Sequence, residues 1–570
     1  MKRERGARAW FVAGVAGAVV GAPASAWACG CFAPPNPATP VVQAGEQVVF
    51  AMDGGQVTMH VRVQYSGPAE EFGWLLPLPS VPDLEVGTEE LFYALEQSTR
   101  PTFFTNYLIG DACNYVNAGD AGAGFDSSVG APNEGGTPPN VLVRREAVGP
   151  YDTAVLRADD RAAMLAWLEE NRFYVPGPLA DAVGPYIRPG SYFLALKLLS
   201  DRDAGDLAPL VLRYDAELPM IPMTLTQVGA EPDMPVTVYV LGEHRAIPRN
   251  YRHVILNEEH IDWFGGGYNY PEVVTRAVDE ADGHHAFVTE FAGATDRMRG
   301  QLAGPSRFGD RSELEATTEA GAYVTALRNR GFLWTSTLVG ILAETFAMPQ
   351  AVRDAGFADD IYYANLDWFL TTYRERNPEQ FEGEAFEFDP AAITARLWTV
   401  VVEPAQGAEQ LFTDHVKLTR LFTTLSPEEM IKDPVFSFNP SLADVSNVHQ
   451  ATFTVPCEGD QRAAHGELAL PDGRLYTTNA VEWSNRTANT PYTQRIEVLR
   501  EEGMPEVEVD NTAVINAGAK TGNGGAVIID GRGSGCACAT PSDAAPWGLA
   551  AGLLLLPLAL RRRSRVTTAE

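Results

Sequence analysis

Basic residues are scarce in this chain. Its 570 residues hold 43 lysines and arginines against 74 aspartates and glutamates, for a formal net charge of −31. The two ends are locally basic, with Lys2, Arg3, Arg5 and Arg8 at one and Arg561, Arg562, Arg563 and Arg565 at the other. The long middle is therefore more acidic than the whole. Such a surface repels nucleic acid, so no nucleic-acid partner is expected. Cysteine is scarce as well, with six residues, which excludes a small disulfide-built scaffold. Strong catalytic motifs are missing. No serine sits in a G-x-S-x-G elbow. Gly265-Gly266-Gly267 is not followed by a lysine-serine pair, so it is no phosphate loop, and there is no H-E-x-x-H.

What is present is globular. The hydrophobic fraction is 45% and the charged fraction 21%, with 52 glycines and 40 prolines marking many turns. The length leaves room for two to four domains.

Both ends carry targeting signals. KRERGAR followed by AWFVAGVAGAVVGA and Ala26-Trp27-Ala28 reads as a signal peptide over residues 1–28. Export places the body in an oxidising compartment. Cys29, Cys31, Cys113 and Cys457 are then disulfide candidates, and four cysteines allow three pairings. At the other end, residues 505–543 are rich in Gly, Asn, Asp and Ala and read as a flexible stalk. Residues 544–560 form one hydrophobic helix, the transmembrane or sorting segment. Its 17 uncharged residues span roughly 25 Å, the lower limit for a bilayer. Residues 561–570 are a basic tail, cytoplasmic by the positive-inside rule. Gly535-Cys536, a short spacer, the apolar run and the arginines resemble the MYXO-CTERM sorting signal of myxobacterial surface proteins. The resemblance implies processing by an intramembrane protease, with Cys536 as processing and anchoring residue. The implied location is the cell envelope, at the surface or outer membrane.

The body reads as α+β. Residues 29–255 form a strand-rich region. VTMHVRVQY alternates with period two after the Asp53-Gly54-Gly55 turn, which predicts a hairpin. The prolines of GWLLPLPS confine any strand there to an edge. TEELFYALEQST predicts a helix capped by Thr88, and ADDRAAMLAWLEENRF one capped by Asp159. SYFLALKLL, APLVLRYDAE and PVTVYVLGE predict strands. Residues 117–140 read as a polar loop. Residues 256–504 mix helix and strand, with helices concentrated from 310 to 380 and a capping box at Ser426 and Glu429. The stretches QVVFAMDGGQVTMHVRVQYSGPAEEFGWLLPLPSVPDLEVGTEELFYALE, YDTAVLRADDRAAMLAWLEENRFYVP and LTRLFTTLSPEEMIKDPVFSFNP resemble the family called domain of unknown function 2330, over most of residues 29–460. That resemblance implies no activity and no functional residues.

One cluster stands out. Five of nine histidines, His244, His253, His260, His284 and His285, fall within 42 positions. With Glu258, Glu259 and Asp262 they form a pool of nitrogen and oxygen donors for zinc or a similar cation. The candidate metal residues are His253, His260, His284, His285 and Glu259, although their spacing matches no ligand motif. HVILNEEH reads as a helix face or as strand and turn. Asp201, Asp203 and Asp206 open like a calcium loop, but Leu212 stands where the closing glutamate belongs. Glu70 and Glu71, adjacent on an extended chain, point to opposite faces and do not converge. The expectation is an exported, surface-anchored envelope protein with a non-enzymatic binding or structural ectodomain and no cofactor. The alternative is a metal-dependent hydrolase using residues 244–285.

Overall fold

The computed structural model describes residues 42–66, 73–109, 142–157, 159–173, 177–199, 208–304, 307–383, 386–455 and 465–518. All lie within one compact unit that ends at Gly522. The expected signal peptide, all six cysteines, residues 117–140, Asp201, Asp203 and Asp206, Glu70, Glu71 and the C-terminal hydrophobic segment lie outside the described residues. No helix among the described residues is long and apolar enough to cross a membrane.

The chain is α+β. Its centre is a ten-stranded sheet ordered β20-β19-β12-β13-β14-β10-β1-β2-β9-β4. The strands are β1 (Val42–Asp53), β2 (Gln56–Ser66), β4 (Asp83–Val86), β9 (Leu210–Asp215), β10 (Met234–Gly242), β12 (Arg252–Leu256), β13 (Ala286–Ala294), β14 (Lys417–Leu425), β19 (Thr493–Val498) and β20 (Glu506–Asp510). A second sheet, β3 (Gly73–Leu78), β8 (Tyr192–Leu198), β7 (Tyr151–Arg157) and β6 (Leu142–Val148), is antiparallel throughout. A third is ordered β18 (Leu475–Thr478), β17 (Gly466–Ala469), β16 (Val448–Val455) and β5 (Thr102–Ile109). A two-stranded ribbon pairs β11 (Arg245–Pro248) with β15 (Phe436–Asn439).

Local chemistry explains the elements. β1 and β2 turn through Gly54 and Gly55, both at positive φ, which glycine adopts without strain. Pro77 sits in β3, an edge strand, as its missing N–H requires. The Thr88 hydroxyl accepts from the Glu90 N–H and caps helix Glu89–Thr99. Helix Arg161–Glu170 is capped by Asp160 rather than Asp159, whose carboxylate instead accepts from the Gly190 N–H. The Ser426–Glu429 capping box is present, but it opens a single 3-10 turn, Pro427–Glu429, and not a longer helix. β20 lies inside the segment expected to be a stalk: EVEVD alternates and pairs with β19.

The central sheet has two buried faces. Val48, Phe50, Val236 and Val238 pack with Trp74, Leu76, Phe193 and Trp167 of the second sheet and its helix. On the opposite face Val49, Tyr239 and Phe291 meet Leu91, Leu95 and Phe412 of helices Glu89–Thr99 and Glu403–Asp414. Further along, helix Tyr270–Asp279 and the third sheet cover that face. Between β13 and β14 the chain makes a helical excursion with its own aromatic core, including Tyr323, Phe346, Tyr362 and Phe369.

Candidate functional site

β12 and β13 run parallel but pair only at Arg252–Ala286 and His253–Phe287. Beyond that point β12 stays with β19, while β13 follows β14 through a bulge between Thr289 and Phe291. A bulge bends a strand and re-aims its side chains. The diverging strands border a cavity of about 630 Å³, lined by Arg245, His253, Val254, Thr289, Glu290, His449, Glu497 and Leu499 among others. A second cavity, about 340 Å³, lies over β10 and β14 and is bordered by Glu96, Arg100, Gly267 and Arg420. Phe103, Tyr270 and Glu290 line both.

A buried charge network floors the smaller cavity. Arg420 stands opposite Tyr239 in the β10–β14 ladder. Its guanidinium contacts Glu290, reaches Glu96 at 2.7 Å and meets the Tyr239 hydroxyl at 3.2 Å. That hydroxyl donates to Glu96 at 3.1 Å. Burial raises Glu290 above the ordinary carboxylate range, and Arg420 and the Tyr270 hydroxyl only partly offset this. Burial also raises Tyr270 well above a free phenol. A polar network this deep costs little only while every member is satisfied.

The larger cavity holds a row of polar side chains. His253 and Glu497 are cross-strand partners, with Nδ1 and Oε2 3.4 Å apart. His253 Nε2 lies 3.0 Å from Thr289 Oγ1. Arg245, on the ribbon, donates from Nη2 to the same Oγ1 at 3.1 Å and from Nη1 to the Ala443 carbonyl at 3.1 Å. Its Nε is buried and makes no hydrogen bond. Burial, the largest influence, lowers His253 and favours the neutral ring. Burial opposes ionisation of Glu497, but the His253 hydrogen bond and the Arg495 and Arg245 charges outweigh it and lower its carboxyl.

The histidine-rich segment distributes its donors rather than gathering them. His253 belongs to the row just described. His260 points Nε2 at the Thr490 carbonyl, 3.0 Å away, and stacks on Tyr492 with ring centroids 3.9 Å apart. Glu259 is buried between Arg486 and Arg474, the latter at 3.4 Å. His285 Nε2 meets the Glu429 carbonyl at 2.7 Å. His244 is exposed. Glu258 accepts from His449 at 2.6 Å, and Asp262 accepts from the Gly265 N–H and the Ser484 hydroxyl. Among the described residues, one trio has cation-ligand spacing: Asp279, His284 and Glu429, with donor atoms within 4.8 Å of one another. His284 is the one member of the expected metal set in it. Thr289, Glu290, Arg245, Arg420 and Glu497 escaped the sequence reading. Their available signal was polarity inside apolar strands, as in AFVTEFAGA and KLTRLFTTL.

Fold and site together define an α+β protein with a two-chambered cavity over a mixed sheet. The chain belongs to DUF2330, a family described as uncharacterized proteins conserved in bacteria, whose family model matches residues 23–336. No curated protein matches the chain. Among solved structures, baculovirus P35 matches at 12% identity over 40% of this chain and 69% of its own, with a TM-score of 0.21. A mutated baculovirus P35 after caspase cleavage matches at 11% identity over 39% and 69%, again with a TM-score of 0.21. Overlaps this slight define no shared fold.

Proposed function

We propose that this is an exported, surface-anchored envelope protein whose ectodomain binds a small amphipathic ligand in the larger cavity. The leader and the tail, including Cys536, support export and anchoring. One observation carries the binding reading: Arg245, whose Nε is buried without a hydrogen bond, lines a cavity together with Val254, Leu256, Val288 and Leu499. A buried donor without a partner is costly, and a ligand oxygen would satisfy it. The ligand class is therefore an apolar chain ending in a carboxylate or carbonyl. Octanoate serves as the probe in isothermal titration calorimetry. Binding to the purified chain, weakened about 10-fold or more by Arg245→Met with little change in melting temperature, supports the reading. Equal affinity in both proteins overturns it.

A second reading, metal-dependent hydrolysis, draws support from Asp279, His284 and Glu429. Zinc would find one nitrogen and two oxygen donors there. Metal analysis after dialysis against zinc tests it, with His284→Ala as control. A stoichiometric ion lost in the variant favours it, and no retained ion removes it.

A further inference from the structure

We propose that Thr289, His253 and Glu497 form a nucleophile–base–carboxylate relay that transfers an acyl group from a carboxylic ester held in the larger cavity. The proposal rests on the cavity reading above and goes beyond it, from binding to chemistry.

Proton bookkeeping fixes the arrangement. A guanidinium only donates, so Thr289 Oγ1 must accept from Arg245 Nη2. The single hydroxyl proton is then free to point at His253 Nε2, 3.0 Å away. A hydroxyl oxygen can accept twice, so the Glu497 carboxylate settles the ring instead: it only accepts, which puts the proton of a neutral His253 on Nδ1 and leaves Nε2 unprotonated. This is the tautomer a general base needs, held by a carboxylate behind it. The β-branched side chain of Thr289 has few rotamers, and two hydrogen bonds select one. The three groups are 3%, 7% and 3% exposed for His253, Thr289 and Glu497, so bulk water does not compete for the bonds.

Arg245 supplies the remaining part. The Nε and Nη2 hydrogens of a guanidinium project in parallel from one edge. Nη2 holds the Thr289 oxygen, and the neighbouring Nε is buried without a partner. Arg245 also lines the cavity, so its guanidinium is the cation assigned to an oxygen on a carbon attacked by Thr289. It would meet the negative charge that develops during attack.

The steps balance. Oγ1 bonds to the ester carbon as its proton passes to His253 Nε2, and the carbonyl π pair moves onto oxygen beside Arg245. Collapse breaks the carbon–alkoxy bond, and the alcohol leaves with the proton from Nε2. Water then attacks the acyl-threonine, gives its proton to Nε2, and Thr289 recovers a proton as the acid departs.

The test uses the purified full-length chain, p-nitrophenyl octanoate and a fluorophosphonate probe. Nitrophenolate release should follow saturation kinetics, and mass spectrometry should place the phosphonate on Thr289. Thr289→Val and His253→Gln should each lower kcat/KM at least about 100-fold. Thr289→Ser, which restores a hydroxyl, should stay within about 10-fold of the parent and guards against a folding artefact. An unlabelled Thr289 in the parent protein, or undiminished turnover in Thr289→Val, overturns the relay. Octanoate affinity separates the two readings: an unreactive protein that still binds octanoate loses the relay alone. A protein that labels Thr289 but does not bind octanoate keeps the relay and loses the carboxylate ligand.

Discussion

At the scale of single residues, two buried titratable groups on neighbouring strands pull stability in opposite directions. Glu46 on β1 is fully enclosed and pushed up to about 7 by burial, with one compensating hydrogen bond from Gln43 at 3.1 Å. It pairs with Val236, whereas Thr237 and Gln47 pair with each other on the opposite face. Alternation along β1 sets Glu46 in line with Val48 and Phe50, and Glu46 also borders the smaller cavity. His60 on β2 is pushed down to about 4, chiefly by burial. A raised carboxyl is harmless below its unfolded value near 4.5 and costs stability as pH climbs to about 7. A lowered imidazole is harmless above 6.5 and costs stability as pH falls to about 4. The two slopes largely cancel between 4.5 and 6.5. Glu46→Gln removes one of them. Urea denaturation should show the variant gaining on the parent as pH rises from 4.5 to 7, by on the order of 3 kcal/mol, with no gain below 4.5. A constant difference across that window rules out the assignment. Arg420 gives a second residue-scale expectation. Arg420→Leu strands Glu290 beside Glu96 and should cost about 3–5 kcal/mol. Adding Glu290→Leu should recover part of that loss in a double-mutant cycle.

At the scale of elements, the turn before helix Tyr270–Asp279 controls the wall between the chambers. Gly267 sits at φ +75°, and a Cβ there would overlap the Phe103 ring. The Gly267 N–H is also held by the Asp262 carbonyl at 2.8 Å, so the turn cannot slide away. Gly267→Ala should therefore displace Phe103, cost on the order of 1–3 kcal/mol and weaken octanoate binding along with stability. Gly266→Ala, at φ +68° but with only a distant neighbour, should strain the backbone without moving the ring. Calorimetric melting and titration of both variants separate the two effects. Such elements were largely legible in the sequence. The hairpin at Gly54-Gly55, the Thr88 cap, the proline-bearing edge strand and most strands follow from local signals. The helical excursion was legible only in outline: within the stretch from 310 to 380, where helices were expected, a π-helical turn, Phe369–Tyr373, interrupts the regular spacing among the aromatic side chains of its core. The site was not legible. His253 and Glu497 lie 244 residues apart, and Thr289 reaches His253 because two parallel strands part after two pairs. Histidine density marked the stretch, but neighbours in sequence on β12 and the following turn face different partners.

At the scale of the whole molecule, sheet order decides what can fold alone. The family match ends at residue 336, yet β14 at 417–425 lies between β10 and β13 in the middle of the sheet. From Leu418 to Leu425 every residue of β14 is buried, and Leu421 and Phe422 serve the cores on its two faces. A chain stopped at 336 would leave β10 and β13 facing each other across a missing strand. It would expose two ladders of unpaired N–H and C=O groups and both core surfaces. It would also lack β19, and with it Glu497. A fragment of residues 1–336 should therefore show no cooperative urea transition and should aggregate. A fragment of residues 42–518 retains every strand of the sheet and should unfold cooperatively near the midpoint of the parent chain. If residues 1–336 unfold cooperatively and retain amide protection in β10 and β13, the central sheet is not the cooperative unit inferred from its order. In that case the cavity between β12 and β13 would belong to an independently stable N-terminal part. A single transition in the parent chain, with amides of the helical excursion and of β10 and β13 losing protection at the same denaturant concentration, would instead tie helical excursion, sheet and cavity into one folding unit. Movements of the β12–β13 gap would then be coupled to the stability of the whole.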